Sequence, residues 1–212
     1  MCARIAVDVD DTLYAFGDAV REEFFRMAVE RDDKSILKGA YAPFTEWRSL
    51  SDSLEGDVVY EAILRVHDKT TKQTPFNGAA ETIWKLVDSG HEIVYITSRL
   101  EKYHEDTLEW LHAWDFPYAV DESLMCVQGS KIPHIRDCKY LIDDRPETVI
   151  DFVTDYVWQN WHGSEIQPEN ERKAFGLWFP YNQALTDVKN VYLAPNWYGI
   201  DYYLNRKGLI TV

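Results

Sequence analysis

The 212-residue sequence has little positive charge. Its 22 lysines and arginines stand against 36 aspartates and glutamates, which leaves a formal net charge of −14. A general nucleic-acid binder is expected to carry a basic face, so binding to a nucleic-acid polymer is disfavoured. A small anionic ligand is not excluded, because one divalent cation and a few bases can reverse the sign of the charge inside a single pocket.

Long apolar runs and paired cysteines are also missing. No run approaches the ~20 residues that a membrane span needs, so we expect no association with a membrane. Strand-like sequence begins almost at the first residue, so we also expect no signal peptide. Cys2, Cys126 and Cys138 are odd in number and lack metal-ligand spacing, and a reducing cytoplasm is the simplest location for them.

Several familiar catalytic and metal-binding motifs are absent. The six histidines show no HExxH or Cys/His pattern, which argues against a zinc site. The sequence contains no P-loop, no Gly-x-Ser-x-Gly turn, no internal repeat and no low-complexity segment. Its length fits one α/β domain with an insertion, or two small domains.

The segment from Ile5 to Leu13 joins a short apolar run to a cluster of three aspartates. Its first residues predict a buried strand. Carboxylates this close together repel one another and are costly to bury without a partner, so a cation is expected beside them. Ligands bind at the carboxyl ends of strands in open parallel α/β sheets, which gives the hypothesis of a metal-dependent site at Asp8 and Asp10. The alternative is a solvated acidic turn.

The apolar pattern divides the chain into a helical stretch and an alternation of helices and strands. In residues 14–74 we expect a helix that starts near Phe16 and ends in the charged stretch 30–34, a loop at 39–44, a short helix around Trp47 and a helix at 56–67. After Pro75 we expect helices and strands to alternate. The expected helices are one capped by Asn77, one at 101–113, one from Pro146 and one near 197–207. The expected strands lie at 92–96, at a segment ending near Val127, at 140–142, and near 155–161 and 175–180.

These elements predict a three-layer α/β/α, Rossmann-like core with a parallel sheet. Residues 1–13 and 75–212 would form this core, and residues 14–74 would form a small helical cap inserted after the first strand. Three of the predicted strands end in polar side chains that the parallel arrangement would bring to one edge of the sheet. These are Asp8 and Asp10, then Thr97-Ser98-Arg99, then Asp143-Asp144, with Lys131 between the second and third groups.

The order of these groups resembles the haloacid dehalogenase-like hydrolase superfamily. Its four motifs are matched by Asp8-Val9-Asp10-Asp11-Thr12, by Ile96-Thr97 with Ser98, by Lys131 and by Asp143-Asp144. Ile96-Thr97-Ser98-Arg99 and Leu141-Ile142-Asp143-Asp144-Arg145-Pro146 are similar, more narrowly, to the 5′(3′)-deoxyribonucleotidase branch and its phage and bacterial relatives. In two departures, Asp11 replaces a common glycine, and the long spacing from Lys131 to Asp143 leaves Lys139 as an alternative third-motif residue.

The resemblance implies the chemistry of a Mg²⁺-dependent phosphomonoester hydrolase. Asp8 would be the nucleophile and form an aspartyl-phosphate. Asp10 would protonate the leaving oxygen and then deprotonate the attacking water. Thr97 would donate a hydrogen bond to a phosphoryl oxygen, and Lys131 would balance negative charge.

The resemblance also implies a metal site and a set of substrate contacts. Mg²⁺ would be held by Asp8, Asp143, Asp144 and the backbone carbonyl of Asp10. The substrate would contact Thr12, Phe16, Ser98, Arg99 and Trp47, with Phe16 at the place of a base-pocket aromatic.

Plainer structural roles remain open for several of these residues. Thr97 could cap the following helix, and Asp143 or Asp144 could cap the helix that begins near Pro146. Arg99 and Arg145 could simply pair with nearby acids. The aromatic side chains of the cap and of the tail could simply be core residues.

The expected function is a phosphatase resembling a 5′-nucleotidase, with a nucleoside monophosphate as the favoured small phosphorylated substrate. The alternatives are a phosphatase for sugar phosphates or another small ester, a phosphomutase, and a catalytically silent module that binds a phosphorylated ligand. The leaving group, the preference for deoxyribose and the formation of a homodimer are left open.

Overall fold

A computed structural model describes residues 2–41, 54, 56–160 and 172–211, with the backbone alone for 155–160. Its strands are β1 (Arg4–Val7), β2 (Glu92–Thr97), β3 (Leu124–Cys126), β4 (Tyr140–Ile142), β5 (Lys173–Leu177) and β6 (Val191–Ala194). Its α-helices are α1 (Phe16–Glu30), α2 (Leu37–Tyr41), α3 (Gly56–His67), α4 (Ala79–Asp88), α5 (His104–Ala113), α6 (Pro146–Asn160) and α7 (Trp197–Arg206). None of the helices in the described ranges has both the length and the apolar composition to cross a membrane.

The described strands form one parallel sheet in the order β3-β2-β1-β4-β5-β6. β1 lies inside the sheet, where Val7 is aligned with Tyr95 of β2 and with Ile142 of β4. From β1 the chain first builds β2 and β3 on one side and then continues on the other side at β4. This reversal places a topological switch point between β1 and β4, which is where ligands bind in sheets of this kind.

Each face of the sheet has its own hydrophobic core. Ile5 and Val7 point to one face and pack in a cluster that includes side chains of α1, α3, α4, α5 and α7. Ala6 points to the other face and packs in a cluster that includes side chains of α6. Because the strands are covered on both sides, their sequences are continuous apolar runs. The predicted three-layer α/β/α fold is confirmed.

The chain between β1 and α4 is helical, and its described residues contain no strand. Helix α1 contacts both α2 and α3. Buried side chains of α1, among them Val20, Phe24 and Met27, belong to the same hydrophobic cluster as Ile5 and Val7. The insert therefore shares a core with one face of the sheet. Its division from the rest of the chain as a cap of residues 14–74 stays a prediction.

Some sequence-based assignments were wrong. The strand expected near 155–161 is not formed, because α6 continues to Asn160. Val149 and Phe152 are buried one helical turn apart, and this packing outweighs the strand propensity of the following residues. The loop expected at 39–44 is helical up to Tyr41, where α2 ends. Strand β6 was not predicted, and α4 is preceded by Gly78 at φ +83° rather than capped by Asn77. The expected helix around Trp47 lies outside the described residues.

A buried ionic network connects α1 to α3. The side chain of Glu23, on α1, is only 1% exposed and lies 3.0 Å from Arg26, 3.4 Å from Arg65 and 2.8 Å from Lys69. Arg65 belongs to α3, and Lys69 follows that helix. Burial raises the pKa of Glu23, but the hydrogen bonds from Lys69 and Arg26 outweigh this effect and lower the pKa from its ordinary value.

We expect Glu23→Gln to lower the free energy of unfolding by about 1.5–3 kcal/mol at pH 7, the range for hydrogen bonds to charged groups. The folded-state pKa of Glu23 is lowered, so its stabilising effect is present above the unfolded value of about 4.3 and is lost as the pH falls through the folded value. Urea unfolding of both proteins at pH 7 and at lower pH should show the difference shrinking in acid. Glu22→Gln, which changes a neighbour that is 71% exposed, is the control and should have little effect. If the difference in the free energy of unfolding between wild type and Glu23→Gln did not depend on pH, the lowered pKa assigned to Glu23 would be contradicted.

Candidate active site

Three buried carboxylates meet at the switch point of the sheet. Asp8 directly follows β1, and Asp143 and Asp144 directly follow β4. Each offers one carboxylate oxygen, and these three oxygens lie within 4.8 Å of one another. The two groups of acids that the sequence separates by more than 130 residues are therefore adjacent in space.

Lys131 is the buried cation of this cluster. Its ammonium group donates hydrogen bonds to Asp8 Oδ1 and, at 2.9 Å, to Asp143 Oδ2. Burial lowers the pKa of Lys131, but the carboxylates of Asp143 and Asp8 outweigh burial and raise it, so the side chain stays charged. The alternative residue, Lys139, instead has its ammonium nitrogen 5.9 Å from the ring centroid of Tyr140. The structure thus brings Lys131, and not Lys139, to the carboxylates.

One lysine does not balance the negative charge of the cluster. Burial raises the pKa of Asp8 to about 6, although Lys131 opposes this shift. Burial and the nearby carboxylates of Asp11 and Asp8 raise the pKa of Asp144 well above its ordinary value. Mg²⁺ prefers carboxylate oxygens, and a divalent cation would remove this excess of negative charge. The donor set of Asp8, Asp143 and Asp144 therefore fits Mg²⁺.

Asp10 has a different set of partners. Its carboxylate accepts hydrogen bonds from Arg99 Nη2 at 2.8 Å, from the Tyr14 hydroxyl at 2.9 Å and from the Thr97 hydroxyl at 3.4 Å. Burial raises the pKa of Asp10, but the Arg99 guanidinium and His67 outweigh it and hold the pKa well below its usual range. In the free chain Asp10 is therefore a carboxylate, and its side chain is not one of the three grouped metal-type ligands.

Arg99 was expected to bind substrate, but its side chain does not line the cavity beside the carboxylates. Its side chain is fully buried, and its five N–H groups all donate hydrogen bonds, to Asp10, Tyr14, Thr70 and Thr107. No donor remains for a ligand. Arg99 pairs with an acid, as the plainer alternative proposed, and that acid is Asp10.

The two threonines of the predicted site lie beneath its surface. The Thr12 hydroxyl lies 3.4 Å from Asp8 Oδ2 and 3.3 Å from Asp144 Oδ1, so it links the ends of β1 and β4. Thr97 is fully buried beside Asp10. Thr97 does not cap a helix, because the helical turn that leads into α5 begins only at Glu101. Both hydroxyls hold carboxylates in place.

Ser98 and Arg145 lie together at the surface of the site. Arg145 Nη1 donates a hydrogen bond to Ser98 Oγ at 3.2 Å. Arg145 forms no ion pair with an acid among the residues that the structure describes, so the plainer role proposed for it is not observed. Its backbone N–H donates to Asp143 Oδ1 at 2.8 Å, next to the start of α6. Asp143 thus combines the predicted cluster position with a hydrogen bond to the backbone just before α6.

A cavity of about 440 Å³ opens above the carboxylates and is lined by two kinds of surface. Its polar side is formed by Asp8, Asp10, Asp11, Ser98, Lys131, Asp144 and Arg145. The opposite wall is mostly apolar and is formed by one face of α3 together with Phe16, where α3 contributes Gly56, Val59, Tyr60, Ile63 and His67. Small-molecule sites commonly have this size and this mixture of surfaces. Trp47, an expected substrate contact, lies outside the described residues.

Sequence reasoning missed Tyr181 and His67. Tyr181 donates a hydrogen bond to Asp144 Oδ2 and stacks on Phe179 with 5.2 Å between ring centroids. No local signal separates Tyr181 from the other aromatic residues of the tail, which were interpreted as packing. His67 ends α3 and stacks on Phe16 at 5.0 Å between ring centroids. Its position four residues after Ile63, on the same helical face, is the signal that could have found it.

Asp11 occupies the position at which glycine is common in the nucleotidases that the first motif resembles. Its backbone has φ +56°, in the left-handed region that glycine adopts most readily and aspartate tolerates better than most residues. Its carboxylate also accepts the backbone N–H of Gly17 at 2.7 Å, and burial raises its pKa to about 7. The substitution is therefore compatible with the turn.

Comparison with curated proteins finds relatives over part of the chain. No family model matches. A protein of Bacillus cereus named "Putative nucleotidase" is 38% identical over 86 residues, which cover 38% of this chain and 46% of the relative. A protein of the same name from Oceanobacillus iheyensis is 36% identical over 88 residues, which cover 37% of this chain and 43% of the relative. The aligned region thus spans less than half the length of either relative.

Solved structures match the fold along nearly the whole chain. A structure described as a HAD family hydrolase from Deinococcus radiodurans R1, with bound phosphate and sodium, has a TM-score of 0.62 and 13% identity. The match covers 99% of this chain and 97% of that one. At this identity the similarity shows a common fold. The fold predicted from the resemblance to haloacid dehalogenase-like hydrolases is confirmed.

We expect Asp144→Asn to raise the melting temperature of the metal-free protein by about 2–4 °C, which corresponds to ~1 kcal/mol in a chain of this size. The amide keeps the volume and one acceptor oxygen while removing one of several like charges. The same variant should lose most of the stabilisation that Mg²⁺ gives the wild type, because it lacks one ligand.

Thermal unfolding with chelator and with Mg²⁺ measures both effects. Asp187→Asn, at an exposed position remote from the carboxylate cluster, is the control and should change neither value. A variant that is destabilised without metal and still stabilised by Mg²⁺ would contradict the charge argument.

Proposed function

We propose that this chain, which has the fold of the haloacid dehalogenase-like hydrolases, is a Mg²⁺-dependent phosphomonoester hydrolase that forms an aspartyl-phosphate on Asp8. The observation that carries the proposal is the position of Asp8. It lines the cavity, its carboxylate is paired with buried Lys131, and it shares the edge of the sheet with two further acids. A carboxylate can attack a phosphate dianion only where positive charge is built in, and Lys131 together with a bound Mg²⁺ would supply it here.

The proposed reaction has two displacements at phosphorus. An oxygen of Asp8 bonds to phosphorus while the ester P–O bond breaks, and the electron pair of that bond goes to the leaving oxygen. Asp10, a carboxylate in the free chain, takes up a proton from solvent when the dianionic substrate binds and gives this proton to the leaving oxygen. A water molecule then attacks the same phosphorus and gives a proton to Asp10. The bond from Asp8 to phosphorus breaks, which releases inorganic phosphate and restores both carboxyl groups.

The surroundings of Asp10 suit an acid that is oriented in advance. Arg99 and Tyr14 fix the carboxyl group through four hydrogen bonds of 2.8–3.2 Å. An approaching phosphoryl group adds negative charge and thereby favours the protonated form of Asp10. Arg99 is in this view a positioning residue, since its own donors do not reach the cavity.

The remaining polar side chains would bind and hold the phosphoryl group. Asp8, Asp143 and Asp144 would hold Mg²⁺, with the backbone carbonyl of Asp10 as the further ligand implied by the family resemblance. When bound, the ion supplies positive charge to the phosphoryl oxygens. The Ser98 hydroxyl and the Arg145 guanidinium face the cavity and would donate hydrogen bonds to those oxygens.

We propose a nucleoside monophosphate as the substrate. The apolar wall of Phe16, Val59, Tyr60 and Ile63 offers a surface on which a flat base can lie, opposite the charged floor. The names of the curated relatives agree with this choice. We also propose a cytoplasmic location, since all three cysteines of the chain are unpaired.

Phosphate release from a panel of nucleoside monophosphates and sugar phosphates tests the function. We expect release that requires Mg²⁺, is abolished by chelator, and falls at least ~10³-fold in Asp8→Asn, because a missing nucleophile leaves no covalent route. Asp187→Asn is the control and should keep full activity. Absence of release from every substrate in a folded, Mg²⁺-binding protein would refute the hydrolase and favour the silent binding module.

Arg145 is proposed to bind the phosphoryl group, and removing its guanidinium tests this role. Arg145→Met should raise KM about 10-fold or more, the equivalent of a lost charge-assisted hydrogen bond of at least ~1.5 kcal/mol. Steady-state kinetics with the best substrate of the panel measures the change. Arg136→Met alters an exposed arginine outside the cavity and serves as the control. An unchanged KM in Arg145→Met would remove Arg145 from the binding site.

A further inference from the structure

His67 is an unusual member of the cavity wall. Both ring nitrogens are buried, and neither has a hydrogen-bond partner among the described residues. Its Nε2 lies 3.6 Å from Asp10 Oδ2, just beyond hydrogen-bond distance. A buried donor without a partner costs about 1–3 kcal/mol, so such a group in a folded protein calls for an explanation.

The neighbours of His67 hold its ring against Asp10. The ring stacks on Phe16 at 5.0 Å and meets the edge of Tyr103 at 5.1 Å between centroids. The backbone carbonyl of His67 accepts a hydrogen bond from the Thr70 hydroxyl at 2.7 Å. The same hydroxyl accepts a hydrogen bond from Arg99 Nη1 at 3.2 Å. His67 is therefore anchored to the guanidinium that also fixes Asp10.

Asp10 is consequently approached from two sides. Arg99, Tyr14 and Thr97 reach it from within the core, and His67 reaches it from the end of α3. Catalytic hydrogen bonds are often long in the free protein and shorten only when substrate is bound. A shift of a few tenths of an ångström would bring His67 Nε2 into hydrogen-bond distance of Asp10 Oδ2.

We propose that His67 is a positioning residue for Asp10: its Nε2–H donates to Asp10 Oδ2 in the substrate complex and turns the carboxyl group toward the leaving oxygen. This inference rests on the proposed function, and specifically on Asp10 as the acid. It assigns to α3, a helix of the insert, a part in orienting the acid Asp10, in addition to its part in the apolar wall. The alternative is that His67 only extends the aromatic surface beside Phe16.

Two variants distinguish the effect of the N–H group of His67 from the effect of its ring. His67→Phe keeps a ring between Phe16 and Tyr103 but has no donor. His67→Gln keeps a donor of similar reach but has no ring. Two substrates separate proton transfer from binding, because the alcohol of a nucleoside monophosphate leaves poorly without a proton, whereas p-nitrophenolate from p-nitrophenyl phosphate leaves readily without one.

We expect His67→Phe to lower the single-turnover rate of aspartyl-phosphate formation about 10-fold or more for the nucleoside monophosphate, part of the ~10²–10⁴-fold contribution of a general acid. For p-nitrophenyl phosphate we expect the same single-turnover rate to change by less than about 2-fold, since its leaving group needs little proton transfer. His67→Gln should restore most of the single-turnover rate for the nucleotide, while its KM rises through loss of the stacked ring. Inhibition by inorganic phosphate should be equal in all three proteins.

Other outcomes would overturn the inference. An unchanged single-turnover rate in His67→Phe, with KM altered only in His67→Gln, would show that His67 is part of the aromatic surface and nothing more. An equal loss of the single-turnover rate on both substrates, together with a lower melting temperature, would show a structural role. A wild-type protein that hydrolyses neither substrate would instead refute the proposed function, and the inference would be withdrawn with it.

Discussion

The burial of several like charges at one edge of a parallel sheet is the constraint on which the rest of this structure depends. Asp8, Asp143 and Asp144 lie within 4.8 Å of one another through their carboxylate oxygens. Such a cluster is stable only if donors surround it, and Lys131 and Tyr181 donate hydrogen bonds to it. Even so, the acids remain short of positive charge, which is the physical reason to expect a cation.

The carboxyl groups of Asp8 and Asp10 are two residues apart in the sequence, yet their pKa values are shifted in opposite directions. Burial raises the pKa of Asp8, whereas Arg99 and its neighbours hold the pKa of Asp10 well below its usual range. In the metal-free chain this order is the reverse of the proposed roles, in which Asp8 attacks as a carboxylate and Asp10 donates a proton, so bound Mg²⁺ and substrate would have to invert it. Here the separation follows from geometry, because Lys131 is shared between Asp8 and Asp143 and does not outweigh the burial of Asp8, whereas the guanidinium of Arg99 outweighs the burial of Asp10.

The helical insert contributes to the site through ordinary packing as well as through contact with the cavity. Helix α1 shares the hydrophobic core of one sheet face and is joined to α3 by the buried charge of Glu23. The position of α3 sets both the apolar wall and the position of His67. The contacts between α1 and α3 that stabilise the insert therefore also determine the shape of the pocket.

The sequence by itself determined the central strands and the acids that follow them, because apolar runs and strand ends are local features and parallel strands present their carboxyl ends at one edge. It did not determine the course of α6, the existence of β6, or the partners of Arg99, Tyr181 and His67. Those were decided by the tertiary structure. A helix extends as far as its buried face is covered, and a buried donor takes whichever acceptor the fold brings within about 3 Å. Both depend on residues far away in the chain.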